Sequence, residues 1–322
     1  MTIPRKILVT GATGFVGSAL VNELLRSNEN IVVALVRRAD VKLPKDVLVS
    51  EVSGAELDCS AVKLSEVNAI VHCAARVHVM NDASSDPLRE FRKVNVKFTL
   101  DLASRAAEQG VKRFIYISSI KVNGEETAPG CIYRADDPPA PIDSYGISKM
   151  EAEEGLRTLG KKTGMEIVII RPVLVYGPGV KANFRSMMKV LKSGVPLPLG
   201  LIKNKRSLVS LDNLVDLIIT CIDHPAASNQ TFLASDGDDV STPRLLTLMG
   251  QALGRPPRLV SVPTFFLEAA ASLLGKKETL RRLVGSLQVD ISKANELLGW
   301  RPVLSLEDGL KKTADNFISG RK

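Results

Sequence analysis

Short apolar runs alternate with stretches of helical periodicity through the first half of the chain. Ile7-Leu8-Val9 is uncharged and too short for a helix, the pattern of a strand buried on both faces. A glycine-rich turn follows, and from Phe15 to Arg26 the apolar positions recur at helical spacing. Ile31–Val36, Val47–Val52, Ala69–Cys73, Phe114–Ile117 and Ile167–Ile170 repeat the strand pattern. Between them Leu88–Gln109 reads as a long helix ended by Gly110, and another helix runs to about Thr163 with Gly164 behind it. Strands alternating with helices predict an α/β fold built on a doubly wound parallel sheet of Rossmann type.

Beyond Pro172 the alternation loosens. Val195–Gly200 is a Pro-punctuated loop, and Leu211–Ile222 reads as a helix with Asp212 as its N-cap. Pro263–Leu274 reads as an unusually apolar helix followed by Gly275-Lys276-Lys277.

The turn after the first strand is Gly11-Ala12-Thr13-Gly14-Phe15-Val16-Gly17. Its glycines suit a tight exit from the strand (Gly11), close backbone approach to a pyrophosphate (Gly14) and packing of helix on sheet (Gly17). Phosphates would face the helix N-terminus. This predicts a dinucleotide-binding domain over residues 1–174 and a smaller substrate-binding part over 175–322. Residues from about 206 to 235 could return to the main domain. The second strand ends in Leu35-Val36-Arg37-Arg38, with no acidic residue before Asp40. A carboxylate there would select NAD, whereas two guanidinium forks suit a 2'-phosphate, so NADP(H) is the favoured cofactor and NAD the alternative.

Tyr145 and Lys149 stand four residues apart in Tyr145-Gly146-Ile147-Ser148-Lys149, one face of a helix. Lys149 beside the phenol is expected to lower its pKa from about 10. A phenol so tuned can exchange a proton with an alcohol or ketone.

Composition narrows the partners. The net charge of +8 is dispersed, with no run long enough for a nucleic-acid arm, and favours phosphorylated ligands. Aromatic residues make up 4%, too few to interleave with basic clusters as a single-strand binding surface requires. Cys59, Cys73, Cys131 and Cys221 form no metal spacing with His72, His78 and His224, and read as reduced thiols of a cytoplasmic protein. The N-terminus leads directly into the first strand, which reads as no signal peptide, and no uncharged run reaches membrane-span length.

The ordered set GATGFVG, Ala74-Ala75, Asn95, Ser118-Ser119, YGISK and Arg171-Pro172 resembles the extended short-chain dehydrogenase/reductase family over nearly the whole chain. The stretches His72–Met80 and Ser118–Glu125 are similar to a bacterial polysaccharide-biosynthesis branch. That branch holds UDP-glucose 4-epimerase-like proteins and 4-reductases of UDP-4-keto-6-deoxy-N-acetylhexosamines. The resemblance implies Tyr145 as acid/base, Lys149 as its tuner and the holder of the nicotinamide ribose, and Ser119 on the reacting sugar oxygen. It also implies a cofactor site from Gly11, Thr13, Gly14, Phe15, Val16, Gly17, Arg37, Arg38, Ala74, Ala75, Asn95, Tyr145, Lys149 and Pro172. Ser119, Lys121, Asn183, Arg206 and Arg282 would bind a UDP-sugar, and a homodimer would pair the helices at 88–109 and 145–163.

Two departures from the family pattern stand out. The third strand is followed by Ser53-Gly54 where an Asp commonly holds the adenine, and Asp58 comes too late to replace it. Dehydratases of the family carry Asp-Glu after the active-site hydroxyl, where this chain has Ile120-Lys121, so water elimination is rejected. The leading expectation is an NADPH-dependent 4-ketoreductase of a UDP-4-keto-6-deoxy-N-acetylhexosamine. The alternative is a UDP-hexose 4-epimerase, on glucose or N-acetylglucosamine, with tightly held NAD. A non-catalytic dinucleotide sensor ranks last, because both Tyr145 and Lys149 are present.

Overall fold

Seven short strands line up in parallel in the main sheet of the computed structural model. The structure describes residues 4–38, 40–52, 57–77 and 86–320, excepting the side chains at 182, 183, 278 and 279. The strands are β1 (Arg5–Thr10), β2 (Asn30–Val36), β3 (Leu48–Glu51), β4 (Ala69–His72), β5 (Arg113–Ile117) and β6 (Glu166–Pro172). Each overlaps one of the strand stretches read from the sequence, although β3 (Leu48-Val49-Ser50-Glu51) is mostly exposed. After β7 (Leu174–Tyr176) and β8 (Leu208–Ser210), which form a small separate pair, the seventh main strand is β9 (Thr231–Ala234). The order is β3-β2-β1-β4-β5-β6-β9, so the chain reverses direction across the sheet between β1 and β4. Ligands of such sheets sit at the carboxyl ends of the strands beside that reversal.

Helices cover both faces. α1 (Phe15–Leu24) follows β1, and α2 (Pro87–Phe91) runs through a π-helical turn at Arg92–Lys97 into α3 (Phe98–Glu108). Gly110, at φ +81°, lets the chain leave that helix. α4 (Ser144–Thr163) begins on Asp143, whose side chain accepts from Gly146 N at 2.7 Å, and ends on left-handed Gly164. The second half adds α5 (Ala182–Ser193), α6 (Leu211–Asp223), α7 (Thr242–Ala252), α8 (Thr264–Leu273), α9 (Lys277–Val284), α10 (Ser292–Leu298) and α11 (Leu306–Ser319). The N-cap of α6 is Ser210, accepting from Asn213 N at 3.1 Å, and not Asp212, which lies inside the first turn.

Phe91, Phe98 and Leu102 are all buried within the chain, and α2 and α3 pack beside α4. These three side chains of the helix expected at a subunit contact are thus covered within their own chain. No described helix is long and apolar enough to cross a membrane.

A charged pair lies in the core under α4. Glu153 and Arg171, both 2% exposed in their side chains, meet through two hydrogen bonds of 2.9 and 2.6 Å. Ser118 donates to Glu153 at 2.6 Å, and Arg171 reaches Asn123 Oδ1 at 2.9 Å. The cluster joins β5, β6, α4 and the loop after β5. Removing Arg171 leaves the buried Glu153 charge offset only by the longer 3.4 Å contact from Arg157, and removing Glu153 leaves Arg171 without its carboxylate. Arg171→Met should therefore cost about 3–5 kcal/mol in urea unfolding, and adding Glu153→Leu should restore much of that loss. A single variant as stable as the parent would mean the pair does not anchor the fold.

Candidate functional site

The glycine turn is built as a cradle. Gly11 adopts φ +65°, and a Cβ there would stand 2.8 Å from Ala74 N. A Cβ at Gly17 would stand 2.2 Å from the Gly11 carbonyl, so Gly17 packs on the turn itself and not on the sheet as its spacing suggests. α1 opens on Gly14 with no side-chain cap and no acidic residue in its first turn. An uncapped helix N-terminus carries backbone donors and a positive dipole end, which suit a phosphate. Thr13 and Phe15 flank that start, and Val16 is half-buried behind it. These residues fit a dinucleotide pyrophosphate.

Ala74 is held against the cradle from the other side. Its N–H donates to Thr10 Oγ1 at 3.0 Å. That hydroxyl lies 2.9 Å from His72 Nδ1, and His72 Nε2 lies 2.9 Å from Thr99 Oγ1. His72 is fully buried, which drives its pKa down to about 3, so it stays neutral. The sequence reading missed this role, although the signal was visible as one imidazole closing an apolar strand directly before Ala74-Ala75.

Asn95 sits in the π-helical turn and is completely buried. Its side chain bonds the Arg76 N–H at 2.8 Å, the Arg76 carbonyl at 3.1 Å and Ser148 Oγ at 3.0 Å. The expected cofactor residue thus braces the 74–76 loop against α4. Arg37 and Arg38 are exposed just past β2, and Pro172 closes β6. Asp58 accepts from Ser60 N at 2.8 Å and Ser60 Oγ at 2.9 Å, a local turn. Residues 53–56, where the adenine departure falls, and 78–80 lie outside the described residues.

The structure brings Ser119, Tyr145 and Lys149 together. The Ser119 hydroxyl hydrogen-bonds the Tyr145 phenol, and Phe91 meets the phenol ring edge-on at 5.9 Å. Lys149 Nζ donates to the Ile117 carbonyl at 2.7 Å and lies 6.0 Å from the centre of the Tyr145 ring. Lys149 also sits 4.4 Å over the Tyr116 ring. The expected lowering of the phenol pKa is not what the geometry produces. Burial, with the Asp143 charge behind it, pushes Tyr145 up to about 12 against the Ser119 bond. Burial also pulls Lys149 down to about 7, opposed by the negative charge of Glu153. The lysine is thus poised near neutrality and the phenol holds its proton.

Lys121 donates to Glu125 at 2.8 Å and pairs with Asp143, the cap of α4. It therefore fixes the Ser119 turn to the start of the Tyr145 helix. Arg206 is reached through the same loop. Thr127 N donates to Ser286 O at 2.8 Å and Tyr133 N to Gln288 O at 2.9 Å, while Ser207 N donates to Leu287 O at 2.8 Å. Arg206 Nη1 donates to the carbonyls of Arg282 and Gly285, both at 3.0 Å, and burial lowers its pKa. The Arg282 side chain is exposed, and the Asn183 side chain lies outside the described residues. No group of His, Cys, Asp and Glu among the described residues could hold a metal.

The chain resembles known proteins over almost its whole length. A UDP-glucose 4-epimerase of Vibrio cholerae is 50% identical over 98% of this chain and 96% of its own length. The structure of a Bacillus cereus UDP-glucuronic acid 4-epimerase in complex with NAD superposes with a TM-score of 0.77 at 22% identity, covering 98% of this chain and all of that one. A Thermotoga maritima UDP-glucose 4-epimerase with UDP-glucose gives 0.76 at 24% identity, covering 98% and 100%. At those identities the two structures establish the fold alone. The family model for NAD dependent epimerases and dehydratases matches residues 7–234, from β1 through β9. The chain belongs to the NAD dependent epimerase/dehydratase family and is an enzyme of the nucleotide-sugar type.

Proposed function

We propose that this enzyme is a UDP-hexose 4-epimerase that interconverts UDP-glucose and its C4 epimer with NAD held in the glycine cradle. The observation that carries the reading is the 50% identity, across nearly the whole chain, to a protein named UDP-glucose 4-epimerase. It favours the epimerase alternative over the 4-ketoreductase expected from Arg37 and Arg38.

The residues have definite tasks. Gly11, Gly14, Gly17 and Ala74 shape the wall that takes the pyrophosphate. A bound nicotinamide supplies the acceptor and donor of hydride at the sugar C4. Tyr145 takes the proton from the C4 oxygen and returns it, whichever face of the ring is presented. Ser119 holds that oxygen beside the phenol. Lys149, when charged, favours the phenolate form that accepts this proton, and the phenol so formed returns it. Arg206 is the diphosphate contact, assisted by Arg282 and Asn183. Lys121 is anchored by Asp143 and Glu125 while its backbone N–H donates to Ser119 Oγ at 3.2 Å, and Ile120-Lys121 stand where dehydratases carry their carboxylates. A homodimer through the α3 and α4 faces belongs to the same reading.

Tyr145→Phe should preserve the fold and cofactor binding while interconversion falls by roughly 10²–10⁴-fold. Near-parental turnover in that variant would remove Tyr145 from the chemistry. Cofactor choice is read by titration. The protein should bind NAD(H) at least as tightly as NADP(H), and Arg37→Ala should leave NAD affinity unchanged. Tighter NADPH binding, with a selective loss of about 1.5–3 kcal/mol in Arg37→Ala, would return the reading to a reductase.

The Lys149 shift makes a stability prediction. Its folded pKa of about 7 lies below the ordinary value of 10.5. Below pH 7 the lysine is charged both folded and unfolded, and the full cost of burying that charge is felt. As the pH rises from 7 to 10.5 the folded lysine is increasingly neutral, and the cost disappears. Thermal unfolding with no nucleotide added should show Lys149→Met most stabilised relative to the parent below pH 7. The advantage should shrink steadily toward pH 10.5. A difference independent of pH would show that Lys149 titrates normally.

A further inference from the structure

The helix α8 exposes an apolar face to which no chemistry has yet been assigned. Phe265, Phe266, Ala269, Ala270, Leu273 and Leu274 follow the i, i+1, i+4, i+5, i+8, i+9 spacing of a single helix face. All six are exposed, Leu273 by 89% and Leu274 by 70%. The opposite side, with Ala271 buried and Leu267 half-buried, rests on the protein, where α8 packs against α9. A surface helix ordinarily turns this pattern the other way round. The patch continues onto neighbouring loops. Gly200 N donates to Val260 O at 3.0 Å and Val260 N to Leu197 O at 2.8 Å, which places exposed Leu201 and Val260 beside the approach to α8.

The excess of basic residues, expected above to be dispersed, is in fact concentrated in the same two stretches. Residues 181–206 hold seven Lys and Arg and no acid, and residues 251–285 hold six against two acids. Their combined excess is larger than the +8 of the whole chain, so the remainder has more acid than base. Arg255 Nη1 donates to Lys192 O at 2.5 Å, which stitches the two stretches together. Lys276 and Lys277 stand exposed at the end of α8.

We propose that α8 and its basic surroundings form a membrane-docking surface that lies on an anionic lipid bilayer. An apolar helix face enters the headgroup boundary, and flanking ammonium and guanidinium groups are drawn to lipid phosphate. At 10 residues α8 is about 15 Å long, far short of a span, so it rests in the interface plane. A second copy fits the same face poorly, because an isologous contact would set two basic lobes against each other. The surface includes α9, whose Arg282 carbonyl holds Arg206. Docking would therefore bring the substrate side of the molecule to the lipid.

Flotation with phosphatidylglycerol/phosphatidylcholine vesicles, against phosphatidylcholine alone, tests this with the full-length protein. The parent should float with the anionic vesicles at low salt and be released at high salt. The variant pairs Phe265→Ser with Phe266→Ser, and Lys276→Glu with Lys277→Glu, should each weaken binding by at least about tenfold. Both should keep the parental circular dichroism and NAD affinity. No flotation with anionic vesicles, or flotation that neither pair changes, would overturn the proposal. So would sedimentation showing that the Phe pair dissolves a parental oligomer, since copies of the chain would then cover the face.

Discussion

The Glu153 carboxylate is the buried charge around which the site is assembled. It accepts from Ser118 at the end of β5, pairs with Arg171 in β6 and belongs to the α4 helix that carries Tyr145 and Lys149. Three elements are thereby held in one register at the carboxyl ends of the strands. Its charge also acts on Lys149, opposing the desolvation that lowers the lysine pKa. One carboxylate therefore supports both the placement of the helix that carries Tyr145 and Lys149 and the ionisation of that lysine. A buried pair of this kind contributes little net stability over an apolar replacement, and its value here is placement.

Around that anchor the cofactor and substrate sides are fixed by different means. The cofactor side is made of backbone: a left-handed glycine, a helix without a side-chain cap, and an alanine N–H held by Thr10 and His72. The substrate side is made of bridges between distant stretches, with residues 285–289 joined both to the loop after Ser119 and to Arg206. Lys121 and Asp143 link the two sides at the mouth of α4. The phenol and the hydroxyl meet where these supports converge.

Much of this was legible in the sequence because it depends on local pattern. Five of the six strands up to Pro172 are built on short apolar runs, and the glycine turn and YGISK helix carry their own signals. β9 escaped because Thr231–Ala234 is four residues long and lies beyond Pro172, where the alternation loosens, although it follows α6 and completes the main sheet. Asp212 looked like a cap, but the cap is Ser210, two residues earlier at the end of β8. The direction of the Tyr145 shift was misread because spacing reveals a neighbour but not burial, and burial outweighs the neighbour. Asn95 was recognised as important, yet its task of bracing Arg76 and Ser148 depends on contacts far apart in sequence.

As proposed, the enzyme inverts C4 of a UDP-hexose with NAD held in the glycine cradle. Incubating the purified enzyme with UDP-glucose, with NAD and no reductant, and separating the products by chromatography tests it directly. The account predicts a mixture of UDP-glucose and UDP-galactose that is reached equally from either sugar. Unchanged UDP-glucose, alongside stoichiometric NADPH oxidation with a UDP-4-keto-6-deoxy sugar, would contradict it.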